Sequence, residues 1–250
     1  MFATLRKIFK KPLPVRESWT EEPAKMGTMV EFLNWFDSTT SVEATVAKAE
    51  SDWRSRITAF AGYDRVPKGR SLEIGFGGGR LVAQAAKDFL QATGADIHAA
   101  FARTEEFLTS QSVKNARLLH RDELATLPDA SCDFIYSFIV FQHFDTLEEV
   151  DYYLRHCARL LTENGRCHIF FGRSEEGIRV VDAADFTKRA CSLFIEPPLF
   201  RERVQKFGLQ ILEHEDSMRR DISRPEGPGN LSVQARVLVA RAKVLPPKPD

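Results

Sequence analysis

The sequence predicts an α/β fold: a doubly wound, mostly parallel, seven-stranded sheet with an antiparallel edge hairpin, plus N-terminal helices. Three observations predict it. From Ser71 onward, short apolar runs alternate with segments of helical periodicity, the pattern of strands joined by crossover helices. One run, from Asp133 to Val140, is almost unbroken in apolar residues, as a strand covered on both faces must be. The last two strand-like runs have no helix between them, so they should pair antiparallel.

Each element follows in order. Residues 1–28 contain Pro12, Pro14 and Pro23 and read as an extended leader. Its first part, Met1 to Arg16, carries Arg6, Lys7, Lys10, Lys11 and Arg16 and no acid. Phe2, Leu5, Ile8 and Phe9 could share a helical face there for a membrane surface or a partner, although a frayed, solvated terminus needs no such role. Residues 29–68 form a helical cap: Val30, Leu33, Trp35 and Phe36, then Val42, Val46, Ala49, Trp53, Ile57 and Phe60, recur at spacings of three and four. The cluster from Ser38 to Ser41 separates two helices and supplies N-cap residues.

The main domain is expected over residues 69–243, with a short tail to 250. Ser71 to Ile74 is a strand, and Leu81, Val82, Ala85, Ala86, Phe89 and Leu90 mark the helix after it. Gly94 to Ile97 is the second strand, Thr104 to Ser110 a helix, and Ala116 to Leu119 the third strand. After the Asp133 to Val140 strand, Leu147, Val150, Leu154, Ala158 and Leu161 mark a helix that Asn164-Gly165 should end. Cys167 to Phe171 is the fifth strand. Phe200 to Phe207 is helical. Leu209 to Leu212 and Leu231 to Ala240 are the hairpin strands, joined through a Gly/Pro-rich turn at 215–230.

Composition narrows the function classes. Thirty-five basic residues balance thirty-five acidic ones, so no global charge argues for nucleic acid. The four cysteines, Cys132, Cys157, Cys167 and Cys191, form no C-x-x-C pair or zinc-like cluster. They read as reduced thiols in a reducing compartment such as the cytoplasm, and no metal site is expected. No apolar run approaches the ~20 residues that span a bilayer. The sequence carries no signal of oligomeric state.

The chemistry gathers after the first strand. A strand, a glycine turn and a helix form a nucleotide- or nucleoside-binding geometry. The spacing is Gly75-x-Gly77-x-Gly79, and Arg80 stands where a dinucleotide fingerprint would carry its last glycine. A ligand without a pyrophosphate does not need that glycine. Asp96 ends the next strand at the distance expected of a ribose-binding acid, about ~20 residues on, where its carboxylate can accept from both hydroxyls. Read alone, the glycines could be a structural turn and Asp96 a strand-end or helix-cap acid.

Together these segments resemble class I S-adenosylmethionine (SAM)-dependent methyltransferases. Leu72 to Arg80 is similar to the family's first motif and Gly94 to His98 to its strand-two motif. Asp133 to His143 is similar to its strand-four motif. Leu160 to Arg166 resembles the turn before strand five, without the usual Gly-Gly pair. The resemblance covers residues 70–172, with a plausible family tail to 242. It implies SAM as cofactor and S-adenosylhomocysteine as product. It implies that Glu73, Gly75, Phe76, Gly77 and Gly79 face the methionine moiety, that Asp96 holds the ribose and that Ile97 packs on adenine. Ser137 and Phe138 would meet the methionine end. Asp122 and Glu123 both stand near the position that contacts the adenine amino group. The family's acid there precedes a Leu-Pro, but Asp122 precedes Leu127-Pro128 by one residue more than is common, so both stay open.

His143 follows the fourth strand, at the sheet edge where such folds bind ligands, and an imidazole near pKa ~6.5 suits base duty. Its competing reading is a histidine that caps a helix or satisfies backbone. Asp145 could orient it, but capping the next helix is the plainer role. Acceptor recognition should draw on residues 29–62 and 172–200, with Trp35, Trp53, Arg173, Phe186 and Phe194 as candidates that packing alone could also explain. The sequence thus points to methyl transfer to oxygen or nitrogen of a small molecule. The alternatives are a non-catalytic SAM-binding regulatory protein and an NAD-dependent oxidoreductase, the latter weakened by Arg80 and the lack of a Tyr-x-x-x-Lys pair.

Overall fold

A computed structural model describes residues 15–181, 191–216 and 234–242. The leader's Phe2, Leu5, Ile8 and Phe9, the candidate Phe186 and the Gly/Pro-rich turn after residue 216 lie outside the described residues.

Seven strands form one sheet in the order β3-β2-β1-β4-β5-β9-β8. They are β1 (Arg70–Ile74), β2 (Gln91–Asp96), β3 (Ala116–His120), β4 (Cys132–Ser137), β5 (Leu161–Gly172), β8 (Leu209–Glu215) and β9 (Gln234–Arg241). The first five pair in parallel, whereas β9 runs antiparallel to both β5 and β8. The expected hairpin is therefore present, with β8 outermost. A separate two-stranded sheet pairs β6 (Ile178–Val180) with β7 (Leu193–Ile195).

Period-two alternation divides the core between the two faces. Leu72, Ile74, Ile135, Cys167, Ile169 and Val237 point to one face, which α6 (Leu147–Leu160) and α7 (Pro197–Lys206) cover through Val150, Leu154, Phe200 and Val204. Phe134, Tyr136, Phe138 and Phe170 point to the other. There α2 (Met29–Asp37), α3 (Val42–Asp52), α4 (Arg80–Asp88) and α5 (Phe101–Ser110) bury Phe32, Leu33, Val82, Ala85 and Phe107. The cap helices start as their sequence implies. Thr28 and Glu31 form a reciprocal capping box on α2, and Ser41 accepts from the Ala44 amide on α3.

Several boundaries move for identifiable reasons. The leader is not extended throughout: α1 (Val15–Glu21) and a 3-10 turn (Glu22–Lys25) lie within it. Pro12 and Pro14 precede that helix and Pro23 opens the following turn, so no proline interrupts it. Helix α4 stops at Asp88 because Gln91 must pair with Arg70 in β2. Leu90 consequently leaves the buried stripe and is 82% exposed. Strand β5 begins at Leu161 directly after α6, so Asn164-Gly165 does not end the helix. These residues lie where the β4–β5 register jumps from Cys132↔Leu161 to Phe134↔Arg166. A Cβ on Gly165 would sit 3.0 Å from the Asp133 carbonyl, so glycine permits that close approach. Strand β4 ends at Ser137, short of the apolar run, and Ile139 takes φ +62°. Thr146, not Asp145, caps α6, by accepting from the Glu149 amide.

All four cysteines are free, three of them buried. No helix among the described residues is long and apolar enough to cross a membrane. No group of three or more His, Cys, Asp or Glu side chains among those residues could hold a metal ion.

Candidate active site

The strand order reverses between β1 and β4, and a cavity opens there at the strands' carboxyl ends. Its floor is Glu73 and the loop Gly75–Gly78. Asp96 and Ile97 from the end of β2 and Phe138, Ile139 and Val140 from beyond β4 form the sides, and His143 closes one end.

The loop's shape needs its glycines. Gly75 has φ +77°, and a Cβ there would lie 2.4 Å from a Val140 methyl. Gly77 has φ +50°, with Phe36 of α2 only 2.8 Å from where its Cβ would be. Both Cβ positions are filled by neighbouring side chains, so only glycine lets Val140 and Phe36 pack this closely on the loop. Asp96 ties the loop to β2: the Gly77 amide donates to its Oδ2 at 2.8 Å and the Ile97 amide to its Oδ1 at 2.6 Å. Oδ1 also accepts from the His98 amide at 3.4 Å, so Oδ2 is the oxygen that retains acceptor capacity for a hydroxyl. His98 braces the same loop from below. Its Nδ1 accepts from the Ala100 amide, which leaves Nε2–H to donate to the Gly77 carbonyl at 3.0 Å. Thr104 donates to that carbonyl as well.

Beneath the loop lies a buried charge cluster. Arg80, the first residue of α4, is 6% exposed. Its Nε donates to Asp37 at the end of α2, and its Nη1 lies 2.9 Å from Asp52 at the end of α3. Burial opposes the Arg80 charge, but the two aspartates outweigh it and raise its pKa. Glu73 sits beside this cluster and accepts from the Tyr136 hydroxyl at 3.2 Å. Burial pushes its carboxyl well above the ordinary range, against the pull of Arg80. Arg80 thereby locks the helical cap to the glycine loop.

Ile139 is a β-branched residue at positive φ in the cavity wall, and strain of this kind gathers at ligand sites. His143 is half-buried, with its Nε2 3.3 Å from Gln142 Nε2. Gln142 in turn accepts from Gln234 of β9 at 2.7 Å, so a buried amide chain orients the imidazole.

Of the residues singled out in the sequence, Glu73, Gly75, Phe76, Gly77, Asp96, Ile97, Phe138 and His143 line this cavity. Gly79 sits behind the wall, with φ +85° and its Cβ position 2.5 Å from a Thr104 methyl. Ser137 is buried and donates to the Ile74 carbonyl at 3.1 Å, which joins the ends of β1 and β4. Asp122 and Glu123 do not line the cavity. Asp122 is exposed beside His120 and Arg121, and Glu123 accepts from the His120 amide. Arg121 from the same turn lines it instead, 3.1 Å from Glu149 of α6.

The proposed acceptor residues are also placed elsewhere. Trp53 donates to Asp88 at 3.0 Å, Arg173 pairs with Glu175, Phe194 lies under Arg179, and Trp35 packs edge-on against Trp19; none of the four lines the cavity. Trp19, Phe36, Asp37, Lys48, Arg121, Phe144, Glu149 and Tyr153 line it and escaped the sequence reading, and Asp145, considered as a partner of His143, lines it too. Spacing could have flagged Arg121, directly after β3. Nothing local marked Trp19.

Residues 72–169 match the model of a family described as a methyltransferase domain. No curated protein matches the chain in sequence. Among solved structures, the chain is similar to a SAM-dependent methyltransferase from Leishmania major, with 16% identity and a TM-score of 0.60 over 91% of this chain and 81% of that one. It is similar to the Burkholderia thailandensis 1,6-didemethyltoxoflavin-N1-methyltransferase, with 16% identity and a TM-score of 0.57 over 84% of each chain. It is also similar to the 4+2 cyclase SpnF, with 16% identity and a TM-score of 0.55 over 80% of this chain and 82% of that one. At such identities the likeness establishes the fold alone.

Proposed function

We propose that this chain, whose residues 72–169 match a methyltransferase-domain model, is a class I SAM-dependent methyltransferase that transfers a methyl group to an oxygen or nitrogen of a small molecule, with His143 as general base. The observation that carries the reading is a single cavity that holds the glycine loop, Glu73 and Asp96 together with one imidazole. The residues present fit the cofactor. The Gly75–Gly78 loop lines the cavity directly, and Asp96 offers a carboxylate for ribose hydroxyls.

When bound, SAM supplies a sulfonium-activated methyl group. Glu73 and the Gly75–Gly78 backbone position the methionine end, and Ile97 and Phe138 supply apolar walls. The Gln142–Gln234 chain holds His143 facing the cavity. An acceptor hydroxyl or amine would lose its proton to His143 Nε2, whose lone pair the Gln142 amide must first release, as the acceptor's own lone pair bonds to the methyl carbon. Transfer of the methyl group would leave the carbon–sulfur bonding pair on the sulfur of S-adenosylhomocysteine, the product. Trp19 of α1 covers the His143 end, which favours an acceptor small enough to enter beneath it. The toxoflavin precursor of one structural neighbour is of that size class. Four cysteines carried as thiols support a cytoplasmic site of action.

The test is methyl incorporation from labelled SAM across panels of hydroxylated and amine acceptors. His143→Ala should lower turnover by about 10²–10⁴-fold while S-adenosylhomocysteine affinity stays within about twofold. Unchanged turnover removes His143 as the base. A second reading, a SAM-binding protein that transfers no methyl group, draws support from the cyclase that shares the fold. It predicts S-adenosylhomocysteine binding with no incorporation into any acceptor.

A further inference from the structure

Resting on the reading that this cavity receives SAM, we propose that Glu73 holds a proton in the empty site and releases it when the amino-acid end of the cofactor brings in an ammonium group. Glu73 thereby separates adenosyl ligands that carry this cation from neutral nucleosides, and it makes cofactor affinity rise with pH.

Two observations carry this. The first is a shortage of cations. Glu73 lies in the cavity floor and is 3% exposed. The groups that act on it are Arg80 of α4, Tyr136 of β4, Asp37 of α2 and Asp96 of β2. Arg80 is already shared between Asp37 and Asp52. Lys48 of α3 donates to the Asp37 carbonyl at 2.6 Å. These two cations offset the two aspartates and leave none for Glu73. His98, 4.0 Å from Asp96, adds no charge, because its Nδ1 accepts from the Ala100 amide. A buried carboxyl without a cation keeps its proton, and burial accordingly raises the Glu73 pKa well above the ordinary range. The second observation is the position of its oxygens. Oε2 accepts from the Tyr136 hydroxyl at 3.2 Å. Oε1 has no hydrogen-bond partner among the described residues, yet it is not sealed in as Asp37 Oδ2 and Asp52 Oδ2 are. Since Glu73 lines the cavity, Oε1 is the atom that a ligand reaches. An ammonium N–H directed at Oε1 forms a charge-assisted hydrogen bond with the carboxylate. The proton passes from Oε1 to solvent as that bond forms, and no other bond changes.

The experiment is calorimetry on the full chain in buffers of low and high ionisation enthalpy, which counts the protons released per ligand bound. The probes are S-adenosylhomocysteine, which carries the ammonium, and methylthioadenosine, which lacks the amino-acid end. At about pH 6 an ordinary carboxyl of pKa ~4.3 is already ionised and releases nothing. There S-adenosylhomocysteine should release up to about one proton from wild type, and methylthioadenosine about none. S-adenosylhomocysteine affinity should climb by up to about tenfold per pH unit while free Glu73 is protonated, and level off above that range. Glu73→Gln keeps the side chain's shape and its acceptor for Tyr136 but has no proton to lose. It should erase both the difference between the two ligands and the pH slope. The wild-type contrast between the ligands decides the matter if that variant folds or binds poorly. Equal release with both ligands, or release that persists in Glu73→Gln, overturns the proposal. S-adenosylhomocysteine bound with no release at any pH also overturns it and leaves the cofactor reading standing. Failure to bind S-adenosylhomocysteine overturns both. Release without methylation of any acceptor supports the role of Glu73 and sinks the transfer reaction.

Discussion

Replacing Arg80 by methionine should destabilise the chain and loosen its cofactor loop together. Methionine keeps most of the stem's volume and removes the charge. Asp37 and Asp52, with side chains only 9% and 13% exposed, would then face each other without their shared cation. Removing one member of a buried ion pair costs about 3–5 kcal/mol, chiefly through the charge left behind. At about 2–4 °C per kcal/mol for a chain of this size, the melting temperature should fall by roughly 6–20 °C. Because Arg80 also ties α2 and α3 to the loop, S-adenosylhomocysteine affinity measured by calorimetry should fall in the same variant. Adding Asp37→Asn and Asp52→Asn removes the stranded charges and should recover much of the melting temperature. A melting temperature for Arg80→Met within about 2 °C of wild type would refute the reasoning, because a buried pair cannot lose its cation so cheaply.

Three further outcomes are expected. His168 is fully buried, with Nδ1–H donating to the Ile57 carbonyl and Nε2 accepting from Arg236; burial lowers its pKa to about 3. A depressed base contributes stability above its unfolded pKa of about 6.5 and loses it as pH falls toward 3, so His168→Asn should flatten the acid limb of a melting-temperature profile. Glu73 has the opposite sign: its raised pKa favours the protonated fold, and stability is lost as pH rises from the ordinary carboxyl range toward the folded value. Glu73→Gln should therefore gain on wild type as pH rises in denaturant titrations, and parallel profiles would contradict the burial argument. Gly75→Ala sets a Cβ at φ +77° against Val140, strain of about 1–3 kcal/mol before the clash is counted. Calorimetry should show S-adenosylhomocysteine binding weakened more than tenfold, and unchanged binding would mean that the loop has room to spare.

The alternation of periods from β1 to β5 was enough to fix a doubly wound sheet, because crossover helices leave a local signature at every step. The Gly75–Gly79 spacing and Asp96 were legible for the same reason: each serves a strand–turn–helix unit whose contacts are near in sequence. Three kinds of feature were not legible. Boundaries at Asp88, Leu161 and Ser137 depend on which residue of a neighbouring strand must be paired, and that register is not local. Arg80 could be read as the absence of a glycine but not as the partner of Asp37 and Asp52, which lie 43 and 28 positions earlier in the chain. Trp19 looked like one aromatic residue in a proline-containing leader until α1 packed over the cavity beside His143. The sequence by itself determined the sheet and the glycine loop, since those follow from short-range spacing, and the proposed methyl donor rests on the resemblance that those segments carry. Only the tertiary structure decided what lines the cavity beside His143, because that wall is assembled from α1, α2, α6 and the end of β4, segments that meet only when the core closes.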